Sequence, residues 1–249
     1  MKKIFVVFVI ILVGCGGRTN KKQQLAQNFF KQASIEISNY QEKNDTNALR
    51  KALNDIDQSL ANDETPQSQG LKASILFQLG KLAESKELFE RVLQNKTISK
   101  AKHADTVNNY AIVLYQLGQK NEAETLWHSL INNEHYTSPE LAHFNLGYAQ
   151  FNEAVQLLAQ RPSTQPQQIP APAIACLEAA IEHFKNALAI SKEYINAFFF
   201  MGQAYIALGN LEEARNCYQT ILTLDPDHQA AAQVLRYVEE QLVNHHQPV

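Results

Sequence analysis

The sequence predicts an all-α fold, a right-handed α-solenoid of helical hairpins that ends in a C-terminal capping helix. Two observations support this prediction. The 249 residues include only nine glycines and eight prolines, and long stretches are rich in Ala, Leu, Gln and Glu, which is typical of helical proteins. In addition, three segments that start at Ala73, Ala111 and Gly202 repeat one pattern of apolar residues. A repeated helical unit indicates a solenoid because each unit buries its apolar face against the next.

The three segments align on one glycine each. Seven residues before that glycine stands a small residue, and nine residues after it stands an aromatic one. Apolar residues spaced three and four apart on both sides predict two amphipathic helices, which meet where a glycine with positive φ ends the first helix. The small residues let the helices approach closely, and the aromatic side chains fill the groove between units. The aligned glycines are Gly80, Gly118 and Gly209, and the aromatic residues are Phe89, Trp127 and Tyr218.

These features resemble the tetratricopeptide repeat, whose period is about 34 residues. Residues 195–228, INAFFFMGQAYIALGNLEEARNCYQTILTLDPDH, are similar to it almost throughout and end with the expected proline, Pro226. The resemblance implies a fold of stacked hairpins that binds other proteins. We predict the hairpins at about 23–62, 66–99, 104–137, 140–194 and 195–228, followed by a cap at 229–244.

The first fourteen residues have the layout of a secretory signal. Lys2 and Lys3 precede an apolar run of ten residues, Ile4 to Val13. A membrane-spanning helix needs about 20 apolar residues, and the charged residues that begin at Arg18 prevent this run from reaching that length. We therefore predict a signal peptide at residues 1–14.

The end of this signal, Leu12-Val13-Gly14-Cys15, resembles the lipobox of bacterial lipoproteins. The resemblance implies that Cys15 becomes the mature N-terminus and carries a covalent lipid, which is the only attached group that we predict. Several acyl chains, at about 0.8 kcal/mol per buried methylene, hold a protein stably on a membrane. Glycine rather than Asp follows Cys15, which implies the periplasmic face of the outer membrane. Residues 15–22 would form the lipidated tether.

The hairpin at 140–194 contains an insertion. Gly147 and Gly202 occupy equivalent positions but lie 55 residues apart, which exceeds one period by about 21 residues. The excess lengthens the first helix toward Ala159 and then enters a proline-rich loop at 160–172, with the second helix expected from Ala175. Two interpretations remain open for this loop, a solvated insertion and a docking peptide for an aromatic-lined partner.

The two ends of the array have their own patterns. Residues 23–42 and 46–61 read as a degenerate first hairpin, and residues 229–244 carry one apolar stripe that suits the capping helix that a solenoid needs. The face residues of the first hairpin are Phe29, Phe30, Ala33, Ile37 and Tyr40, and those of the cap are Val234, Leu235, Val238 and Leu242.

No pattern in the sequence predicts catalysis or metal binding. The nearest approach to a zinc motif, Glu178, Glu182 and His183, has the wrong order, and no phosphate-binding loop or nucleophile elbow occurs. We therefore predict that the protein is not an enzyme. The formal net charge of −3 and the lack of a clustered basic face disfavour nucleic-acid binding. Cys176 and Cys217 are interpreted as small buried residues, with a disulfide as the open alternative.

The resemblance also implies where a partner binds, because the first helices of successive tetratricopeptide hairpins line a concave groove. The groove residues carried over to this chain are aromatic and amide-rich, which departs from the basic clamps that hold a C-terminal carboxylate. This composition suits an apolar or extended peptide, although several rings could instead pack between hairpins. The predicted groove residues are Asn108, Ile112, Tyr115, Gln116, Phe144, Tyr148, Phe151, Phe199 and Gln203.

Residues 106–149 resemble the central part of the type IV pilus pilotins, which are lipoproteins built from the same repeats. The likeness rests on Asn108-Asn109-Tyr110, Tyr136 and Asn145-Leu146-Gly147. It implies a factor that binds secretin or pilus assembly subunits at the outer membrane. The proline-rich insert and the count of five hairpins, where that family usually has six, depart from the pattern. The alternative is a general periplasmic adaptor that recruits envelope enzymes such as peptidoglycan hydrolases.

Overall fold

A computed structural model describes residues 20–43, 45–160 and 169–245. Within these ranges the regular elements are eleven α-helices, so the predicted all-α fold of helical hairpins is confirmed. The chain divides into two compact units, Met1–Leu126 and Trp127–Val249, and the division falls within the sixth helix.

Most helices follow one another with short connections, so that consecutive helices pair as hairpins. The exception is the pair α7 and α8, which are separated by the eleven residues 160–170. The first five are α1 (Lys21–Lys43), α2 (Thr46–Asn62), α3 (Pro66–Gln78), α4 (Leu82–Gln94) and α5 (Lys100–Gln116). The others are α6 (Lys120–Ile131), α7 (Pro139–Ala159), α8 (Ala171–Ile190), α9 (Ile195–Leu208), α10 (Leu211–Leu224) and α11 (Gln229–His245).

The three aligned glycines end the first helix of their hairpins, as predicted. Gly80, Gly118 and Gly209 have φ values of 77°, 83° and 81°, a region that glycine enters without a steric penalty. The N–H of the residue after each glycine donates to a carbonyl five residues earlier, for example Lys81 to Leu76 at 2.9 Å. This bond closes a Schellman motif and satisfies a carbonyl that the helix end would leave unpaired.

Small and aromatic residues meet between the helices of a hairpin. The aromatic side chains Phe89, Trp127 and Tyr218 are at most 2% exposed. A Cβ atom placed on Gly202 would lie 2.8 Å from the Tyr218 ring, so a larger residue here would force this ring to shift. This close approach explains why the repeat keeps a small residue sixteen positions before its aromatic residue.

The first hairpin, α1 and α2, shares a core with α3. Ala33 and Ile37 of α1 pack with Ile56 of α2 and Ile75 of α3, and burial of each isoleucine contributes roughly 1.5–3 kcal/mol. The helix starts two residues before the predicted position 23, within the expected tether. The reason is a capping box, in which the Gln23 N–H donates to Asn20 Oδ1 at 2.9 Å.

Two other helices also begin earlier than predicted. Helix α5 starts at Lys100 rather than 104, because the Ser99 hydroxyl caps it by accepting from the Lys102 N–H. Helix α8 starts at Ala171, so Pro172 belongs to its first turn, where a proline leaves no intrahelical hydrogen bond unmade. Helix α7 extends to Ala159, and most of the proline-rich insert, residues 161–168, lies outside the described residues.

Helix α11 packs on α10 at the end of the second unit. Val238 is fully buried with Tyr218 and Ile221 of α10, and the remaining residues of the predicted cap stripe pack against the same cluster. The helix begins where His228 Nδ1 accepts a hydrogen bond from the Ala231 N–H. The apolar surface at the end of the last hairpin is thereby covered.

The predicted signal peptide and Cys15 lie outside the described residues. Of the helices in the described ranges, none has the length and hydropathy that a membrane crossing would require.

Candidate functional site

In the first unit, the structure separates the predicted groove residues of α5 into two groups. Asn108 and Ile112 are 3% and 1% exposed, so the prediction that they line a binding groove is wrong. Within this unit, α5 contacts both α3 and α4. Tyr115 and Gln116, near the C-terminal end of α5, are half-buried and retain some surface.

In the second unit, α7 and α9 contact each other directly and carry a set of five half-buried side chains, three with rings that meet across the contact and two beside them on α9. We call this set the aromatic face. It takes two residues from α7 and three from α9, and four of the five were predicted from the sequence. The residues of the aromatic face are Tyr148, Phe151, Phe199, Phe200 and Gln203.

Phe200 is the central residue of the aromatic face. Its ring centroid lies 4.9 Å from that of Tyr148 and 5.7 Å from that of Phe151, in both cases edge to face. It also lies 5.8 Å from the Phe199 ring. Edge-to-face pairs of this kind contribute about 0.5–1.5 kcal/mol beyond burial, so the rings hold one another in place without a bound partner.

Sequence reasoning missed Phe200. Three consecutive phenylalanines, at 198–200, point in different directions around α9, and periodicity alone does not decide which faces α7. The available signal was spacing, because Phe200 lies three residues before Gln203 and therefore on the same side of the helix.

Phe144 was predicted to line the groove but is 1% exposed, so this prediction is also wrong. Its ring packs beneath the aromatic face, 5.8 Å from Phe184, 5.0 Å from Tyr194 and 6.0 Å from Phe200. Phe144 therefore supports the face from the core rather than offering surface to a partner.

Gln203 and Phe199 both contact Tyr218 on α10, the second helix of their hairpin. The Tyr218 hydroxyl donates to the Phe199 carbonyl oxygen at 3.2 Å and is hydrogen-bonded by the Gln203 side chain. Burial raises the pKa of Tyr218, while the bond from Gln203 lowers it. The Phe199 ring also lies 5.7 Å from Tyr218 and 6.0 Å from His228. The amide and ring are thus fixed by Tyr218 before any partner arrives.

Helices α7 and α9, which form this apolar surface, carry few charged side chains. Neither α7 nor α9 contains Lys or Arg, and their only acidic residues are Glu140 and Glu153 on α7. A carboxylate ligand would find no cation on these helices. An uncharged segment with apolar side chains fits the surface better, because aromatic residues recognise such groups by burial.

The described residues contain no group of three or more His, Cys, Asp or Glu side chains placed to hold a metal ion. Neither Cys176 nor Cys217 is in a disulfide. Burial raises the pKa of the Cys217 thiol to about 12, and the Glu213 carboxylate adds to this effect. A thiol that stays protonated is a poor nucleophile, so Cys217 acts as a small core residue.

Comparison with known families assigns the repeat type. Models of the tetratricopeptide repeat match residues 66–96 and 177–236, whereas no curated protein sequence matches the chain. Tetratricopeptide repeats are generally protein-binding, non-enzymatic scaffolds.

Solved structures share the fold at low sequence identity. PilW, a type IV pilus biogenesis factor, aligns with a TM-score of 0.61 and 18% identity over 88% of this chain and 92% of its own. A MamA double mutant aligns with a TM-score of 0.54 and 15% identity over 85% and 98%.

A monomeric mutant of IFIT1 with Gppp-AAAA aligns equally well, with a TM-score of 0.61 and 19% identity over 84% of this chain but 47% of its own. Proteins as different as PilW, MamA and IFIT1 share this fold, so the fold does not specify a ligand. The chain contains tetratricopeptide repeats at residues 66–96 and 177–236, within an all-α fold that these solved structures share.

Proposed function

We propose that the protein is a non-enzymatic scaffold that is anchored to the outer membrane through a lipid on Cys15 and holds an assembly partner on its aromatic face. The proposal rests mainly on the uncharged aromatic surface that α7 and α9 form around Phe200. Such a surface has the composition of a protein-binding hot spot.

The partner that we propose is an uncharged, extended segment of a secretin or pilus assembly subunit, as for a pilotin. The lipobox-like motif at Cys15 and the resemblance of residues 106–149 to pilotins support this choice. The shared fold with PilW is consistent with it. In this role the lipid brings the bound subunit to the membrane where the secretin assembles.

Co-purification of the full-length lipidated protein from its own cells in detergent tests the proposal. We expect a secretin or pilus subunit to co-purify with the wild type, and its recovery to fall at least tenfold for the double variant Tyr148→Ala/Phe151→Ala. The control is Tyr237→Ala, which removes a 51% exposed aromatic side chain from α11, a helix that contributes no residue to the face. A tenfold loss corresponds to about 1.4 kcal/mol of binding free energy.

Three outcomes would contradict the proposal. Equal recovery with both variants would exclude the aromatic face as the binding site, provided that circular dichroism shows them folded. Peptidoglycan hydrolases in place of a secretin would favour the general adaptor. A Cys15→Ala variant that remains in the membrane fraction would exclude the lipid anchor.

A further inference from the structure

Three histidines from three helices meet in the second unit. They are His128 of α6, His143 of α7 and His183 of α8. The Nδ1 atoms of His143 and His183 lie 3.4 Å apart, and their ring centroids are 5.7 Å apart. The His128 ring centroid lies 6.0 Å from that of His183. No position of the repeat pattern requires these residues, and none of them belongs to the aromatic face.

The facing nitrogen atoms of His143 and His183 limit how many protons the pair can carry. In a hydrogen bond between two Nδ1 atoms, one donates and the other must be unprotonated. If both rings become imidazolium, two N–H groups and two positive charges face each other across the contact. The contact between α7 and α8 is therefore attractive only while at least one of the two rings is neutral.

The surroundings of the pair also favour the neutral forms. Burial lowers the pKa of both His143 and His183, and neighbouring imidazoles, including that of His128, lower it further. The Glu182 carboxylate on α8 opposes this effect at His183 but is the smallest of the contributions. Helix α9, which also packs on α8, carries no charged side chain. The titratable groups that act on the pair from outside it are thus His128 from α6 and Glu182 from α8.

We propose that the cluster of His128, His143 and His183 is a proton-sensitive contact that keeps α7 docked on α8 at neutral pH and weakens this docking in mild acid. Its position links it to the aromatic face, because Phe144 and Phe184 follow His143 and His183 directly in the chain and their rings are 5.8 Å apart. Loosening of the histidine contact would therefore also disturb the rings that support Phe200. The proton response itself does not depend on which partner the face binds.

The direction of the effect follows from which state binds more protons. Folding lowers the pKa of His143 and His183 below the usual 6.5, so the open state takes up protons first as the pH falls. The contribution of the contact to stability is complete above about pH 6.5 and is lost as the pH falls through the lowered folded-state pKa. Each unit of lowering changes the opening equilibrium by about tenfold.

Hydrogen–deuterium exchange of the full-length protein at about pH 8 and about pH 5, corrected for intrinsic exchange, measures this opening. In the wild type we expect opening of α7 and α8 to increase roughly tenfold at the lower pH. The double variant His143→Gln/His183→Gln should lose this dependence. The matched control, His103→Gln, changes an exposed histidine on α5 and should keep it.

A second measurement keeps the proposal testable if the double variant does not fold. Nuclear magnetic resonance titration of the wild type should place the pKa of His143 and His183 below 6.5. Values at or above 6.5 for both rings, or an undiminished pH response in a folded double variant, would overturn the proposal. A response that disappears on addition of EDTA would assign the effect to a bound metal ion and would also overturn it.

Discussion

The hairpins α7–α8 and α9–α10 lie in the same unit and reach the same packing by different routes. Helices α9 and α10 have 14 residues each and are joined at Gly209, whose φ of 81° closes a tight turn. Helices α7 and α8 have 21 and 20 residues, and no glycine with positive φ stands between them among the described residues. In both hairpins, however, a glycine on the first helix faces an aromatic ring on the second.

This comparison indicates that the two helices of a hairpin are held together by the contact between the glycine and the aromatic ring, and that a glycine turn is not required. A Cβ atom on Gly147 would lie 2.8 Å from the Phe184 ring, the same distance as for Gly202 and Tyr218. The chain between Gly147 and Phe184 is about 21 residues longer than that between Gly202 and Tyr218, yet the contact between the glycine and the ring is the same in both hairpins. Long connections cost little free energy because the closure entropy grows only with the logarithm of loop length.

The largest expected effect is the removal of either aromatic ring. Phe184→Ala and Tyr218→Ala should each lower the free energy of unfolding by about 3–5 kcal/mol, because both side chains are fully buried and each substitution leaves a cavity. Urea unfolding measures the loss, with Tyr218→Phe as the control that removes only the hydroxyl. A cost below about 1 kcal/mol for Phe184→Ala would mean that the α7–α8 hairpin, which contains the insertion, is packed more loosely than α9–α10.

A smaller effect is expected when the glycines that face these rings gain a side chain. Gly147→Ala and Gly202→Ala should each lower the free energy of unfolding, because the overpacking cost of about 1–3 kcal/mol exceeds the gain of about 0.5–1 kcal/mol in helix propensity. The matched control is Gly70→Ala in α3, where an added Cβ meets no atom within 4 Å. This control should stabilise the protein, and stabilisation by all three substitutions would disprove the close approach.

Substitution of the turn glycine Gly209 should destabilise the α9–α10 hairpin, an effect with no counterpart at the described residues of α7–α8. Gly209→Ala is expected to cost about 1–2 kcal/mol, because alanine is strained at positive φ. Gly209→Asn should cost less, since asparagine adopts this conformation more readily. The fall in the urea midpoint measures both costs. An unchanged midpoint for Gly209→Ala would indicate that α9–α10 does not need glycine at its turn.

The sequence predicted the features that depend on spacing along one chain. The turn glycines, the small residues opposite the aromatic rings and the equivalence of Gly147 and Gly202 across the insertion all follow from a constant repeat pattern. Helix starts were less predictable, because the caps at Asn20 and Ser99 satisfy N–H groups through single polar side chains outside the apolar pattern.

The aromatic face was only partly predictable. Carry-over from the repeat family placed Tyr148, Phe151, Phe199 and Gln203 on the surface, but also three residues that are buried, Asn108, Ile112 and Phe144. The error has a physical cause. Helix α7, which carries Phe144, contacts both α8 and α9, and a helix packed on several sides is apolar around most of its circumference, so no single stripe marks the buried part.

By itself, the sequence determined that this chain forms helical hairpins, where they turn and which small and aromatic residues pair between them, because these features repeat at constant spacing. Only the tertiary structure decided that Phe200 stands at the centre of the half-buried rings and that His128, His143 and His183 meet. The reason is that these residues come together from separate helices, and the contact between them depends on how each helix is rotated about its axis, which local periodicity does not specify.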